Sequence, residues 1–182
     1  MNLWKELSSG PQPPEIIYVL VEIPKGSRNK YEYDESSGVI KLDRVLYSSL
    51  HYPGDYGFIP QTFYEDGDPL DVLVMTNQPT FPGCVIEARP VGLFRMEDRG
   101  LPDDKILAVP HTDPLFNEYH GLSNVPSHFL AEVAHFFSVY KDLEGMRVKT
   151  LGWESVASAL GAIEKAVALY AEKFGTGKEK EE

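Results

Sequence analysis

The sequence predicts a β-rich α+β fold, and three observations carry that expectation. Short β-prone runs recur at close spacing from Ile16 to Val109. Turn formers are in surplus, with 15 glycines and 14 prolines, about 16% of the chain against roughly 12% in average composition. Helical periodicity appears only late, from Phe129 onward. Short strands separated by turn residues point to a small barrel.

Taken in order, Ile16 to Ile23 is a continuous β-prone run in which Glu22 is the one carboxylate. Asn29–Tyr33 and Val39–Arg44 read as a hairpin around Asp34-Glu35-Ser36-Ser37-Gly38. Further strands are expected at Leu70–Thr76, Val85–Met96 and Lys105–Val109, the second bent at Pro90. Phe129, Leu130, Val133, Phe136, Phe137 and Tyr140 then follow a three-and-four spacing behind a cap signal at Ser123 to Pro126. Val156, Leu160, Ile163, Val167, Tyr170 and Phe174 make a second amphipathic helix, and Gly175 to Glu182 reads as a frayed polar tail. No repeat or linker divides the chain, so residues 1–182 are expected to form one domain.

Bulk charge narrows the function. The formal net charge is −11 and the pI about 4.9, a poor basis for gripping nucleic acid, whose affinity comes from neutralising phosphates with Lys and Arg. An anionic substrate would need positive charge supplied locally, as by divalent cations on carboxylates. Cys84 is alone, which rules out an intrachain disulfide framework. The N-terminal residues lack a signal-peptide apolar run, and no stretch approaches the ~20 apolar residues of a membrane span. A soluble, cytoplasmic protein is expected.

The most informative segment is Glu65-Asp66-Gly67-Asp68-Pro69-Leu70-Asp71, which runs into Val72-Leu73-Val74. Gly67 permits a tight turn and Pro69 stiffens it, so three aspartates are pre-positioned before an apolar strand. Carboxylates suit hard cations such as Mg²⁺, Ca²⁺ or Mn²⁺, and a bound cation offsets their mutual repulsion. An acidic surface turn is the plainer alternative. A calcium-binding EF-hand loop is excluded, because counting from Asp66 the sixth position is Asp71 where glycine is required. A second acidic turn, Glu97-Asp98 through Asp103-Asp104-Lys105, puts Asp103 and Lys105 on one strand face. In the hairpin, Lys30 and Glu32 share a face as well, for which a surface ion pair is the ordinary explanation. Glu22, between Val21 and Ile23, needs a partner or a polar cavity.

Other features carry less. The five histidines form no metal-binding pair of the H-E-x-x-H kind. His128 and His135 are read as packing or subunit-contact residues. Gly175-Thr176-Gly177-Lys178 lacks the upstream glycine of a phosphate-binding loop and follows a helix instead of opening one.

Together these segments resemble the family I soluble inorganic pyrophosphatases. The resemblance rests on Asp66-Gly-Asp68-Pro-Leu-Asp71-Val, with Glu22, Lys30-Tyr-Glu32 and Asp43-Arg44 before it. Tyr52-Pro-Gly-Asp-Tyr56-Gly precedes that signature, and Asp98, Asp103, Lys105 and Tyr140-Lys141-Asp-Leu-Glu follow it. It spans Glu22 to Trp153 and implies a small closed OB-like β-barrel flanked by two main helices. It also implies hydrolysis of pyrophosphate to two orthophosphates with several Mg²⁺ ions per site, and a homohexamer.

Carried over residue by residue, the resemblance makes Asp66, Asp71 and Asp103 ligands of the metal pair that activates water. Asp98, with Asp103, and Glu32 hold further metals. Lys30, Arg44, Tyr56, Lys105, Tyr140 and Lys141 contact phosphate oxygens, with Tyr52 nearby. Asp68 is the general base, and Glu22 an inner catalytic residue. A phosphoesterase or nuclease acting on organic phosphates and a non-catalytic binding barrel are the rival classes; the first lacks a platform for base or sugar, the second fits poorly with the acidic charge.

Overall fold

The computed structural model describes residues 2–175, so the expected fraying of residues 176–182 lies outside the described residues. The strands are β1 Ile17–Ile23, β2 Asn29–Asp34, β3 Val39–Val45, β4 Asp55–Phe58, β5 Asp71–Val74, β6 Val85–Asp98, β7 Leu101–Pro102, β8 Lys105–Pro110 and β9 Val148–Glu154. The helices are α1 Leu3–Glu6, α2 Ser127–Val139 and α3 Val156–Phe174. Five strands close on themselves in the order β1-β4-β5-β8-β6 and back to β1. Within this ring β5 and β8 run parallel, and the other neighbours are antiparallel. β7 and β9 extend from β6, while β2 and β3 form the expected hairpin as a separate sheet.

Two register breaks shape the ring. β6 is bulged between Pro90 and Gly92 where it faces β8, at the expected bend. β1 is irregular between Val21 and Ile23 where it faces β4, and Glu22 occupies that break. Close approach of β1 and β4 depends on Gly57, since a Cβ there would lie 1.9 Å from the Leu20 carbonyl oxygen.

The apolar core has two main parts. One joins Val19, Val21, Leu70, Val72 and Ile106 to Ala159, Ile163 and Ala166 of α3. The other joins Leu73, Phe94 and Leu107 to Val133, Phe136 and Phe137 of α2. The periodicity placed both helices correctly, but the most buried stripe of α3 runs through two alanines, with Val156 and Leu160 only half-buried. Small residues allow close approach to the sheet. The cap signal before α2 is corrected too: Ser123 lies in a 3₁₀ turn, and the helix starts behind Pro126 with no capping side chain. His128 and His135 both lie on the exposed side of α2, so neither packs within the chain.

Candidate active site

The turn that precedes β5 is held from below. Thr62 Oγ1 accepts the Leu70 N–H at 2.9 Å, and Gly67 turns with φ +100° as the sequence required. Asp66, Asp68 and Asp71 all line a cavity of about 640 Å³. Within the same cavity lie Glu22, Lys30, Glu32, Arg44, Tyr56, Asp98, Asp103, Lys105, Tyr140 and Lys141. Thirteen of the fourteen sequence-predicted site residues therefore converge. Tyr52 does not: it is 2% exposed, with its ring packed 5.4 Å from Tyr56 and 4.8 Å from Phe136, behind the wall.

Parallel pairing sets the centre of the site. Asp71 on β5 is in register with Lys105 on β8. Lys105 Nζ lies 2.6 Å from Asp71 Oδ2 and also contacts Asp103 Oδ1, while the Tyr56 hydroxyl donates to Asp71 Oδ2 at 2.6 Å. Lys105 is 3% exposed. Burial alone would lower its pKa, but the facing Asp71 and Asp103 outweigh that and hold it well above its ordinary value.

The remaining cations are paired around the rim. Lys141 Nζ donates to Asp98 Oδ2 at 2.6 Å, and Lys30 contacts Glu32 and Asp43. Arg44 donates to Asp43 at 2.6 Å and forks onto Glu144. Asp43 and Glu144 were given no role from the sequence, although both stand in the quoted motif runs. The signal available for Glu144 was its position three residues after Lys141.

Glu22, Asp66, Asp68 and Asp103 are held toward their protonated forms. Burial raises Glu22 to about 8, against the Tyr33 N–H that its Oε1 accepts at 2.7 Å. Burial likewise raises Asp66 to about 7, with Asp71 and Asp103 adding repulsion. Asp68 is raised by partial desolvation and then by Asp71, and Asp103 by burial despite Lys105. Among the described residues the Asp68 carboxylate has no hydrogen-bond partner, unlike Asp66, which accepts the Asp68 N–H at 3.1 Å.

The residues fit a hard divalent cation. Eight acidic and five basic residues line the cavity, so the site cannot neutralise a highly charged anion from its own side chains. Among the described residues Asp98 Oδ1 is buried without a hydrogen-bond partner. Among the described residues no three carboxyl, imidazole or thiol groups converge into a ready-made cage, and the Lys105 ammonium sits between two of the predicted ligands. A hard divalent cation that keeps several waters and takes one or two carboxylates at a time does not require such a cage.

Comparison with known proteins agrees with this geometry. The inorganic pyrophosphatase family model matches residues 19–171. The chain is 54% identical to an inorganic pyrophosphatase of Haloferax volcanii, across 96% of this chain and 99% of that one. It is 48% identical to one of Geobacillus stearothermophilus, across 87% and 96%. The crystal structure of inorganic pyrophosphatase from Thermus thermophilus superposes with a TM-score of 0.90 at 44% identity, covering 93% and 99% of the two chains. With sequence, fold and cavity in agreement, the chain belongs to the inorganic pyrophosphatase family.

Proposed function

We propose that this chain hydrolyses inorganic pyrophosphate to two orthophosphates in the cavity beneath Asp68. The observation that carries the reading is the lining itself, five cations among eight carboxylates. Lys30, Arg44, Lys105 and Lys141 would grip phosphate oxygens, exchanging their present carboxylate partners for the substrate. The Tyr56 and Tyr140 hydroxyls can donate to phosphate oxygens without adding charge. Asp68, without a hydrogen-bond partner among the described residues and raised in pKa, would take a proton from the attacking water. Water oxygen bonds to one phosphorus, the bridging P–O bond breaks in line, and the second phosphate leaves with that electron pair. Glu32, Asp66, Asp71, Asp98 and Asp103 would hold Mg²⁺. When bound, the metal neutralises substrate charge and lowers the pKa of the attacking water. Glu22, poised near neutrality within the wall, would order that water.

The finer expectations attach here as well. The chain is read as one catalytic unit and its strand ring as an OB-like barrel. A cytoplasmic location fits the acidic composition; no helix among the described residues is long and apolar enough to cross a membrane. Exposed Phe81, Leu115 and Leu143, each more than 60% exposed, support a homo-oligomer, and the hexamer would appear in light scattering as six chain masses.

The deciding experiment is phosphate release from pyrophosphate, ATP and a nitrophenyl phosphate ester, with Mg²⁺ and with chelator. Hydrolysis of pyrophosphate alone, abolished by chelator and restored by Mg²⁺, is expected. Preference for the ester or ATP would replace the reading with an organic phosphatase.

A further inference from the structure

We infer that Tyr64 and Asp104 form a positioning couple that sets the distance between the site's two acidic segments, and with it the affinity for divalent cation. This rests on the reading that Asp66 and Asp103 hold Mg²⁺.

Tyr64 controls its own loop. Its N–H donates to the Asp68 carbonyl at 2.8 Å, and its carbonyl accepts the Gly67 N–H at 3.1 Å, so the backbone around Asp66 closes on Tyr64. The ring is 6% exposed and packs with the core beneath α3. Its hydroxyl crosses to the other acidic segment and donates to Asp104 Oδ2 at 2.7 Å.

Asp104 is 3% exposed and stands between Asp103 and Lys105, both on the cavity wall. Its Oδ1 accepts the Met96 N–H at 3.1 Å, and the neighbouring Asp103 N–H donates to the Met96 carbonyl at 2.9 Å. Arg95 approaches Oδ2 at 3.5 Å. The buried carboxylate therefore docks the start of β8 on β6 with one oxygen and holds the Asp66 loop with the other.

Neither Tyr64 nor Asp104 lines the cavity. They act at one remove, as groups that orient ligands do at metal sites. The separation of Asp66 from Asp103 depends on two chain segments 37 residues apart in sequence. Two side-chain contacts join those segments, Lys105 with Asp71 on the cavity wall and Tyr64 with Asp104 outside it, and the second is the one made from the residue on which the Asp66 turn closes. A sub-ångström change in that separation alters how well one ion can satisfy both carboxylates.

Tyr64→Phe deletes the hydroxyl and keeps the ring. Calorimetric titration of the free protein with Mg²⁺ should show affinity weakened ~10-fold, the lower end for loss of an outer-shell partner. The Mg²⁺ concentration required for hydrolysis should rise in step, while the melting temperature in chelator changes little. Asp104→Asn keeps one oxygen and should weaken binding less, and the double variant should be no weaker than Tyr64→Phe alone. Wild-type Mg²⁺ affinity in Tyr64→Phe overturns the inference, as does a loss confined to melting temperature, or full additivity in the double variant. Failure of the unaltered protein to bind Mg²⁺ would remove the metal assignment, and the couple with it.

Discussion

Asp71 and Lys105 face each other across the parallel β5–β8 pair, and the Lys105 ammonium, 3% exposed, also contacts Asp103. A buried cation between two carboxylates is the internal substitute for an external ion. It offsets the repulsion within the acidic wall, and on the proposed reading it would become available to phosphate once metal took the carboxylates over.

Lys105→Met should accordingly destabilise the metal-free protein far more than the Mg²⁺-loaded one. Removing one partner of a buried ion pair costs ~3–5 kcal/mol. The partial exposure of Asp71 places the effect near the lower end. Urea unfolding in chelator and in Mg²⁺ compares the two states; equal losses in both would mean that Lys105 and metal do not share a role.

The rim cations are predicted to act on substrate and not on folding. Lys30→Ala, Arg44→Ala and Lys141→Ala should each leave the melting temperature within a few degrees and lower kcat/KM by at least ~10-fold, the loss of one charge-assisted contact. Arg44→Lys should also lose activity, because a fork is replaced by a point charge. Wild-type kinetics in all three alanine variants would leave the anion clamp without support.

Metal-free stability should fall as pH rises. Glu22 shifts from 4.5 to about 8 on folding and Asp66 from 3.8 to about 7. Folding therefore takes up protons between about pH 4 and pH 8, and that contribution is lost as the pH passes through the folded-state values. Melting temperature in chelator should be higher near pH 5 than near pH 8, and Glu22→Gln should flatten the slope. A rising melting temperature over that range would contradict the burial of these groups.

Asp68 should separate from its neighbours under metal titration. Asp66→Asn and Asp71→Asn should raise the Mg²⁺ concentration needed and recover part of the rate at saturation. Asp68→Asn should lower the maximal rate by ~10²-fold, the low end for loss of a general base, and alter its pH profile at any Mg²⁺ concentration. Full rescue of the Asp68 variant by Mg²⁺ would make it a further ligand.

Much of this was legible in advance. The hairpin, the turn at Gly67 and both long helices follow from turn chemistry and periodicity, which are local. β4 was not legible, because Asp55–Phe58 is buried at every position and so shows no alternation. β9, with Gly152 at φ +102° opposite an irregularity in β6, reads locally as a loop. The exact placement of Tyr52 was not legible for a related reason. A tyrosine in a motif can face the cavity or back the residue that does, and packing against Phe136 decides it.

By itself, then, the sequence determined which residue types carry the chemistry, in what order, and on which faces of their own strands they stand. Only the tertiary structure decided that Asp71 lies opposite Lys105, that Arg44 forks onto Glu144, and that Tyr64 reaches Asp104. Those contacts join segments 34 to 100 residues apart in the chain. Their partners are chosen by ring closure and strand register, which depend on the burial of the whole core and not on any local pattern.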